Sequence, residues 1–123
     1  MSSEIKTVEI FFSKLLSANL TVFPEFRQSL NAPSTQGVYI IYDPQGTVVH
    51  VGRTPKAKGG LAQRLRDHLS GSSSFKYHYL NGDGSILRNN YQFRCVEVEN
   101  PRIRALLEAY AIGHLCPQHL GLG

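Results

Sequence analysis

The chain has 123 residues, 41% of them hydrophobic and 18% charged, which excludes an intrinsically disordered protein and suits one domain built on a single core. No apolar run reaches the roughly 20 residues of a bilayer-spanning helix, and Glu9 and Lys14 interrupt the N-terminal segment, so the expectation is a cytoplasmic protein without a secretory leader. The net charge is +4; the two cysteines, Cys95 and Cys116, are too few for a disulfide framework, lack a C-x-x-C spacing for zinc, and are expected to be buried or half-buried thiols.

Residues 3–17 predict an amphipathic helix, because Ile5, Val8, Phe12, Leu15 and Leu16 fall on one face at helical spacing, with Ser2 or Ser3 as its cap. Residues 18–36, with Pro24 and Pro33, read as an irregular connection with a helical turn at 25–30; residues 1–35 thus form an N-terminal helical extension of a single domain over 1–123. Gly37 to Tyr42 and Thr47 to Gly52 are β-branched and aromatic runs on either side of the turn sequence Asp43-Pro44-Gln45-Gly46, which predicts a hairpin. Gly59-Gly60 precedes a helix over 61–69 with Leu61, Leu65 and Leu69 on its buried side. Residues 70–90 are loop-like at both ends, and the alternation of Phe75, Tyr77 and Tyr79 with Lys76 and His78 suggests a short strand. Tyr91 to Val98 reads as a third core strand, and Asn100-Pro101 opens a helix that runs to about Leu115, before Pro117. The order predicts an α+β domain with a small three-stranded antiparallel or mixed sheet flanked by helices.

Charge is concentrated in the middle of the chain. From Arg53 to Arg94, Arg53, Lys56, Lys58, Arg64, Arg66, Lys76, Arg88 and Arg94 are opposed by Asp67 and Asp83, and the remainder of the chain is net acidic. A polyanionic partner accounts for this, as does a soluble surface.

Three places carry candidate chemistry. In the hairpin, a two-residue turn sets Tyr39 opposite His50 on one sheet face, whereas a bulge at Gly46 sets Val51 opposite Tyr39; the pattern leaves both open. On the following helix, Arg64 and His68 are four residues apart and share a face, as a phosphate-binding fork beside a proton acceptor or as ordinary surface residues. The last helix is apolar nearly all round and so is expected to be largely buried, with Glu108 in its middle. A carboxylate there needs a partner, either Arg104 one turn away or a metal ion.

Together these pieces resemble the GIY-YIG nuclease family over roughly residues 36–118. The first motif stands as Gly37-Val38-Tyr39 and the second as His50-Val51-Gly52, followed by Arg53-Thr54. The family's Arg and His four apart on a helix match Arg64 and His68, and its glutamate on a later helix matches Glu108. The sequence departs from the family in three ways: His50 stands for the second motif's tyrosine, Lys56 to Gly60 lengthen a loop, and no Asn follows Asn100, where Gln118 and His119 are the polar residues available.

The resemblance implies hydrolysis of DNA phosphodiesters with one divalent ion, Mg²⁺ or Mn²⁺, held by Glu108. It implies catalytic roles for Tyr39 on the attacking water, His68 as acceptor of the Tyr39 proton, Arg64 on the phosphate, and His50 beside the nucleophile or the same phosphate. Arg53, Lys56, Lys58, Arg66, Lys76 and Arg88 are the expected DNA contacts. A DNA-binding module that has lost catalysis is the alternative. Monomer and homodimer both fit, the second through the apolar face of the first helix.

Overall fold

Gly37–Tyr42, the sequence GVYIIY, is apolar at almost every position, the mark of a strand covered on both faces. The computed structural model, which describes residues 3–55 and 58–121, makes it β2, between two other strands of a four-stranded sheet. The elements run α1 (Ser3–Ser17), β1 (Thr21–Val22), β2, β3 (Val48–Arg53), α2 (Gly60–Leu69), α3 (Ser74–His78), a 3-10 helix (Gly84–Arg88), β4 (Gln92–Glu97) and α4 (Pro101–Leu115). The strand order is β1-β4-β2-β3, and each pairing is antiparallel.

The α+β architecture is as expected, with one more strand. β1 is two residues long, too short to show alternation in a sequence; it extends β4 through Thr21 opposite Phe93, and Phe23 beyond it is buried with its ring 4.9 Å from that of Phe93. The anticipated helical turn at 25–30 is a tight turn closed by the Gln28 N–H on the Glu25 carbonyl at 3.0 Å.

The sheet divides the interior into two apolar layers. On one side, Tyr39, Ile41 and Phe93 meet Leu61, Leu65 and Leu69 of α2, Phe75 of α3 and Leu87. On the other, Val38, Ile40 and Val51 meet Val8 and Leu15 of α1 and Leu107 and Ala111 of α4. Burial of this kind contributes roughly 25 cal/mol per Å² of apolar surface, and it is what holds the two helical layers to the sheet. Arg102 on α4 makes two hydrogen bonds, at 2.7 and 3.2 Å, to the Glu4 carboxylate of α1, an exposed pair that adds orientation more than stability.

Three expectations need correction. Residues 74–78 form helix α3, not a strand: the Ser73 hydroxyl accepts the Lys76 N–H at 3.0 Å as an N-cap, and Phe75 and Tyr79, one turn apart, stack at 5.3 Å. α4 is less buried than its composition suggests, with Arg104, Leu107 and Ala111 buried while Ala109 and Gly113 face outward. It covers one sheet face and one helix, so small apolar residues fill the far side without a partner layer. Cys95 is half-buried, but Cys116 is exposed, because it caps the end of α4 in a left-handed conformation at φ 46°.

Candidate active site

The site begins with an irregular hairpin. Asp43 Oδ1 accepts the N–H groups of Gln45 and Thr47, both at 2.9 Å, and Gly46 sits at φ 87°, where a side chain would be strained. This is the bulged alternative, and it pairs Tyr42 with Val48. A second slip between Ile41 and Tyr42 then pairs Ile41 with His50 and Tyr39 with Gly52. Neither anticipated partner, His50 nor Val51, lies opposite Tyr39. Two one-residue slips restore the side-chain parity that one slip would invert, so Tyr39 and His50 share a face diagonally, with ring centroids 5.9 Å apart.

Gly52 explains why both rings fit. A Cβ there would collide with the Tyr39 hydroxyl and lie 3.1 Å from His50 Nε2. The glycine after His50-Val51 is thus a space left for the phenol.

Helix α2 brings the next pair. It starts without a side-chain cap; the carbonyls of Thr35 and Pro33 accept the Leu61 and Ala62 N–H groups at 2.9 and 2.7 Å, which fixes α2 against the strand entering β2. Arg64 and His68 fall on one face as the spacing requires, but at different depths. Arg64 stays partly wet, with Asp67 at 3.9 Å, whereas His68 is 0% exposed. His68 Nε2 is 2.6 Å from Tyr39 Oη and its Nδ1 is 2.7 Å from Ser73 Oγ. Ser73 is the residue that sequence reasoning missed; nothing in Gly71-Ser72-Ser73-Ser74 singles it out, because its role arises from the turn between α2 and α3.

Helix α4, capped by the Asn100 side chain on the Arg102 and Ile103 N–H groups, carries Glu108 to the opposite wall. Arg104 does not pair with it; that guanidinium donates to the carbonyls of Val98 and Glu99 at 2.9 and 3.1 Å. Glu108 Oε1 instead lies 3.6 Å from Arg53 Nε, and the two side chains are 25% and 44% exposed. The C-terminal segment closes the site: the N–H groups of Gln118 and His119 donate to Val48 and Val49 carbonyls at 3.2 and 2.8 Å, and His119 Nδ1 is 3.0 Å from His50 Nδ1. The result is a cleft of about 240 Å³ lined by Tyr39, His50, Gly52, Arg53, Arg64, Glu108 and His119, among others.

The electrostatics follow from depth. Burial raises the Tyr39 pKa well above the ordinary phenol range; Arg64 nearby opposes this without overcoming it, and Glu108 and Asp67 add to the rise. Burial lowers His50 to about 3, helped by His119 and Arg64, and holds His68 well below the usual histidine range. Burial also raises Glu108, against the pull of Arg53 and Arg64. At neutral pH the inner end therefore holds a neutral phenol against a neutral imidazole, a pair able to pass a proton, while a guanidinium and a carboxylate face each other across the mouth.

The basic residues divide. Arg53 and Lys58 are exposed, and Lys58 and Arg64 border an adjoining groove with Asp67, so the mouth has a basic edge. Arg66 is exposed on α2, with Gln63 Oε1 at 3.5 Å. Lys76 donates to the Gly71 carbonyl and Arg88 to those of Pro24 and Glu25, all at 3.0 Å; Arg88 lies in a separate cleft with Phe26 and Asn89. Lys56, like the cap candidate Ser2, lies outside the described residues. Among the described residues no group of three His, Cys, Asp or Glu side chains forms a metal cage, and no helix is long and apolar enough to cross a membrane.

Residues 35–120 match the family model of the GIY-YIG catalytic domain. Over 96 residues the chain is 28% identical to the UvrABC system protein C of Prosthecochloris aestuarii, a match that covers 76% of this chain and 15% of that much longer protein. Its fold is similar to the crystal structure of the GIY-YIG N-terminal endonuclease domain of UvrC from Thermotoga maritima bound to its catalytic divalent cation, magnesium, with a TM-score of 0.51 at 21% identity over 98% of this chain and 100% of that one. A point mutant of that domain, also bound to its catalytic divalent cation, gives the same TM-score and identity and is covered over 99% of its length.

Proposed function

The chain belongs to the GIY-YIG catalytic domain family, and from that premise we propose that it is an endonuclease that hydrolyses DNA phosphodiester bonds with the help of a divalent metal ion. The observation that carries the proposal is the 2.6 Å contact between Tyr39 Oη and His68 Nε2 at the floor of a cleft walled by Arg64 and Glu108. Reading residues 1–123 as one domain accords with Val8 and Leu15 of α1 packing into the layer that carries α4.

Glu108 suits a hard divalent ion. It offers a carboxylate, partly exposed at the cleft wall and held by a long ion pair to Arg53, and Mg²⁺ is commonly held through one carboxylate with waters and substrate oxygens. Such an ion, Mg²⁺ or Mn²⁺, would neutralise charge on the phosphate and on the departing oxygen. Arg53 next to Glu108 would then turn toward DNA, as would Lys58 and the exposed Arg66.

The protein's own groups would handle the proton. If His68 donates its Nδ1 proton to Ser73 Oγ, its Nε2 is left to accept from Tyr39. Because burial holds the Tyr39 pKa up, a free phenolate is not the nucleophile's base. Tyr39 would accept the water's proton as its own passes to His68, a concerted step in which the phenol never carries full charge. Arg64 would hold a non-bridging phosphate oxygen through its planar fork, and His50, neutral beside Tyr39, would orient the attacking water.

The non-catalytic DNA-binding reading draws on two features, His50 where the second motif has a tyrosine and the lack of an Asn among residues 101–123. One experiment separates the two: cleavage of single-stranded, double-stranded and branched DNA in Mg²⁺, Mn²⁺ or EDTA, by the wild type and by Glu108→Ala. Cutting that needs the metal and disappears in the variant supports the nuclease; DNA binding without cutting under any condition supports the module.

A further inference from the structure

A pair of histidines, His50 and His119, leads from the cleft toward water. The Nδ1 atoms of His50 and His119 are 3.0 Å apart, a distance at which one ring nitrogen donates and the other accepts. The backbone holds this arrangement, since the His119 N–H donates to the carbonyl of Val49, the residue before His50, at 2.8 Å. The inner ring is stacked on Phe75 at 4.5 Å, and its Nε2 borders Gly52 together with the Tyr39 hydroxyl. The outer ring is half-exposed and lies parallel to the exposed His78, 6.5 Å away.

His68 is enclosed by contrast. Both its ring nitrogens are engaged by buried groups, Tyr39 on one side and Ser73 on the other, and Ser73 Oγ also takes the Lys76 N–H. A proton accepted there has to leave before the next cycle, and the adjacent exit runs back through Tyr39.

We propose that His119 relays protons between His50 and solvent, so that the inner base is reset after each turnover; the inference rests on the nuclease reading above. His50 begins with its proton on Nδ1 and His119 with its proton on Nε2. A proton released through Tyr39 arrives at His50 Nε2, the Nδ1 proton of His50 crosses to His119 Nδ1, and the Nε2 proton of His119 passes to water. Both rings end neutral with their tautomers exchanged. The departing oxygen takes its proton from solvent at the mouth, so the proton lost by the attacking water and the proton gained by the leaving group balance. Once the product has gone, the Nε2 proton of His50 passes to water entering the cleft and one proton returns from bulk water through His119, which restores both rings. The groups around the pair are Tyr39 on β2, Arg64 and His68 on α2, His78 on α3 and Glu108 on α4. Burial keeps both imidazoles below the usual histidine range, so neither is trapped as a cation at neutral pH.

The test compares single-turnover and steady-state cleavage by the full chain in dilute buffer, with and without added imidazole. His119→Ala should keep single-turnover cutting near wild type and lose about tenfold in steady state, and imidazole should restore that loss. His119→Asn, able to hold a hydrogen bond but not to pass a proton, should show the loss, and Gln118→Ala should not. Equal falls in both regimes without imidazole rescue, or no fall at all, would overturn the relay. Nitrogen-15 NMR of the wild type reads the pair independently of cleavage: one protonated and one bare Nδ1 supports the relay, and two protonated Nδ1 positions at neutral pH break it. A wild type that cuts no DNA but shows the shared proton would mark the nuclease reading, rather than the histidine pair, as the part that failed.

Discussion

At its inner end the cleft holds Tyr39, His68 and Ser73, a chain of neutral groups sealed by the sheet and by Phe75; at its mouth Arg53, Arg64 and Glu108 are charged and partly wet. The inner groups are fixed by packing, so their geometry is set before any ligand arrives. The outer groups are fixed by weak ion pairs at 3.6 and 3.9 Å, which a phosphate or a metal ion can replace at little cost. Proton transfer needs short, preset distances, whereas charge stabilisation works through groups that can exchange partners. The division of the cleft follows that division of labour.

Changes at the inner end should therefore act on the rate alone, whereas changes at the mouth should also act on the binding of metal and DNA. Among residues that only position the reacting groups, the largest effect is expected from Gly52→Ala, whose Cβ displaces the Tyr39 hydroxyl: cleavage should fall about 100-fold, since an ångström of misplacement costs that much, with melting lowered by strain worth about 1–3 kcal/mol. Equal cutting by the variant would show that the phenol's position does not matter. Ser73→Ala removes both the His68 partner and the α3 cap; about a tenfold loss of rate and about 1 kcal/mol of stability are expected from kinetics and denaturant titration. The buried histidines set a pH dependence of stability. The folded pKa values of His50 and His68 are lowered, so the unfolded chain binds more protons below about pH 6.5. Stability should be flat above that pH and fall on acidification by up to about 1.4 kcal/mol per pH unit for each histidine. A melting temperature that rises as pH drops from 7 to 5 would contradict the burial argument. The smallest effect belongs to the mouth: Lys58→Ala should leave the single-turnover rate unchanged and reduce the salt dependence of DNA binding by about one unit of slope.

The same contrast governs what the sequence reveals. α1 and α2 are legible because each buries a periodic face, β2, β3 and β4 because their runs are rich in β-branched and aromatic residues, and α4 because Asn100-Pro101 marks its start through capping chemistry. Elements made by short-range capping are not: α3 is five residues whose aromatic alternation mimics a strand, and β1 has no period to detect. In the site, the family motifs identified Tyr39, His50, Arg64, His68 and Glu108, and all five come together. Their partners depend on tertiary distance. Arg104 lies on the same helix as Glu108 and points elsewhere, while Arg53 comes from β3; Ser73 reaches His68 across a turn. The register of the hairpin was missed for a related reason, since the slip at Gly46 is visible in the turn sequence and the compensating slip beside Tyr42 is not.

The most direct test of the central claim, that the buried phenol–imidazole pair moves the nucleophile's proton, is Tyr39→Phe measured for DNA binding and single-turnover cleavage side by side. Phenylalanine keeps the ring in the core and deletes the hydroxyl that meets His68. The expected result is wild-type binding, stability lowered by about 1–3 kcal/mol because His68 loses its buried partner, and cleavage reduced roughly 10²–10⁴-fold. Cleavage within a few-fold of wild type, with binding intact, would contradict it and assign the chemistry to the charged mouth alone.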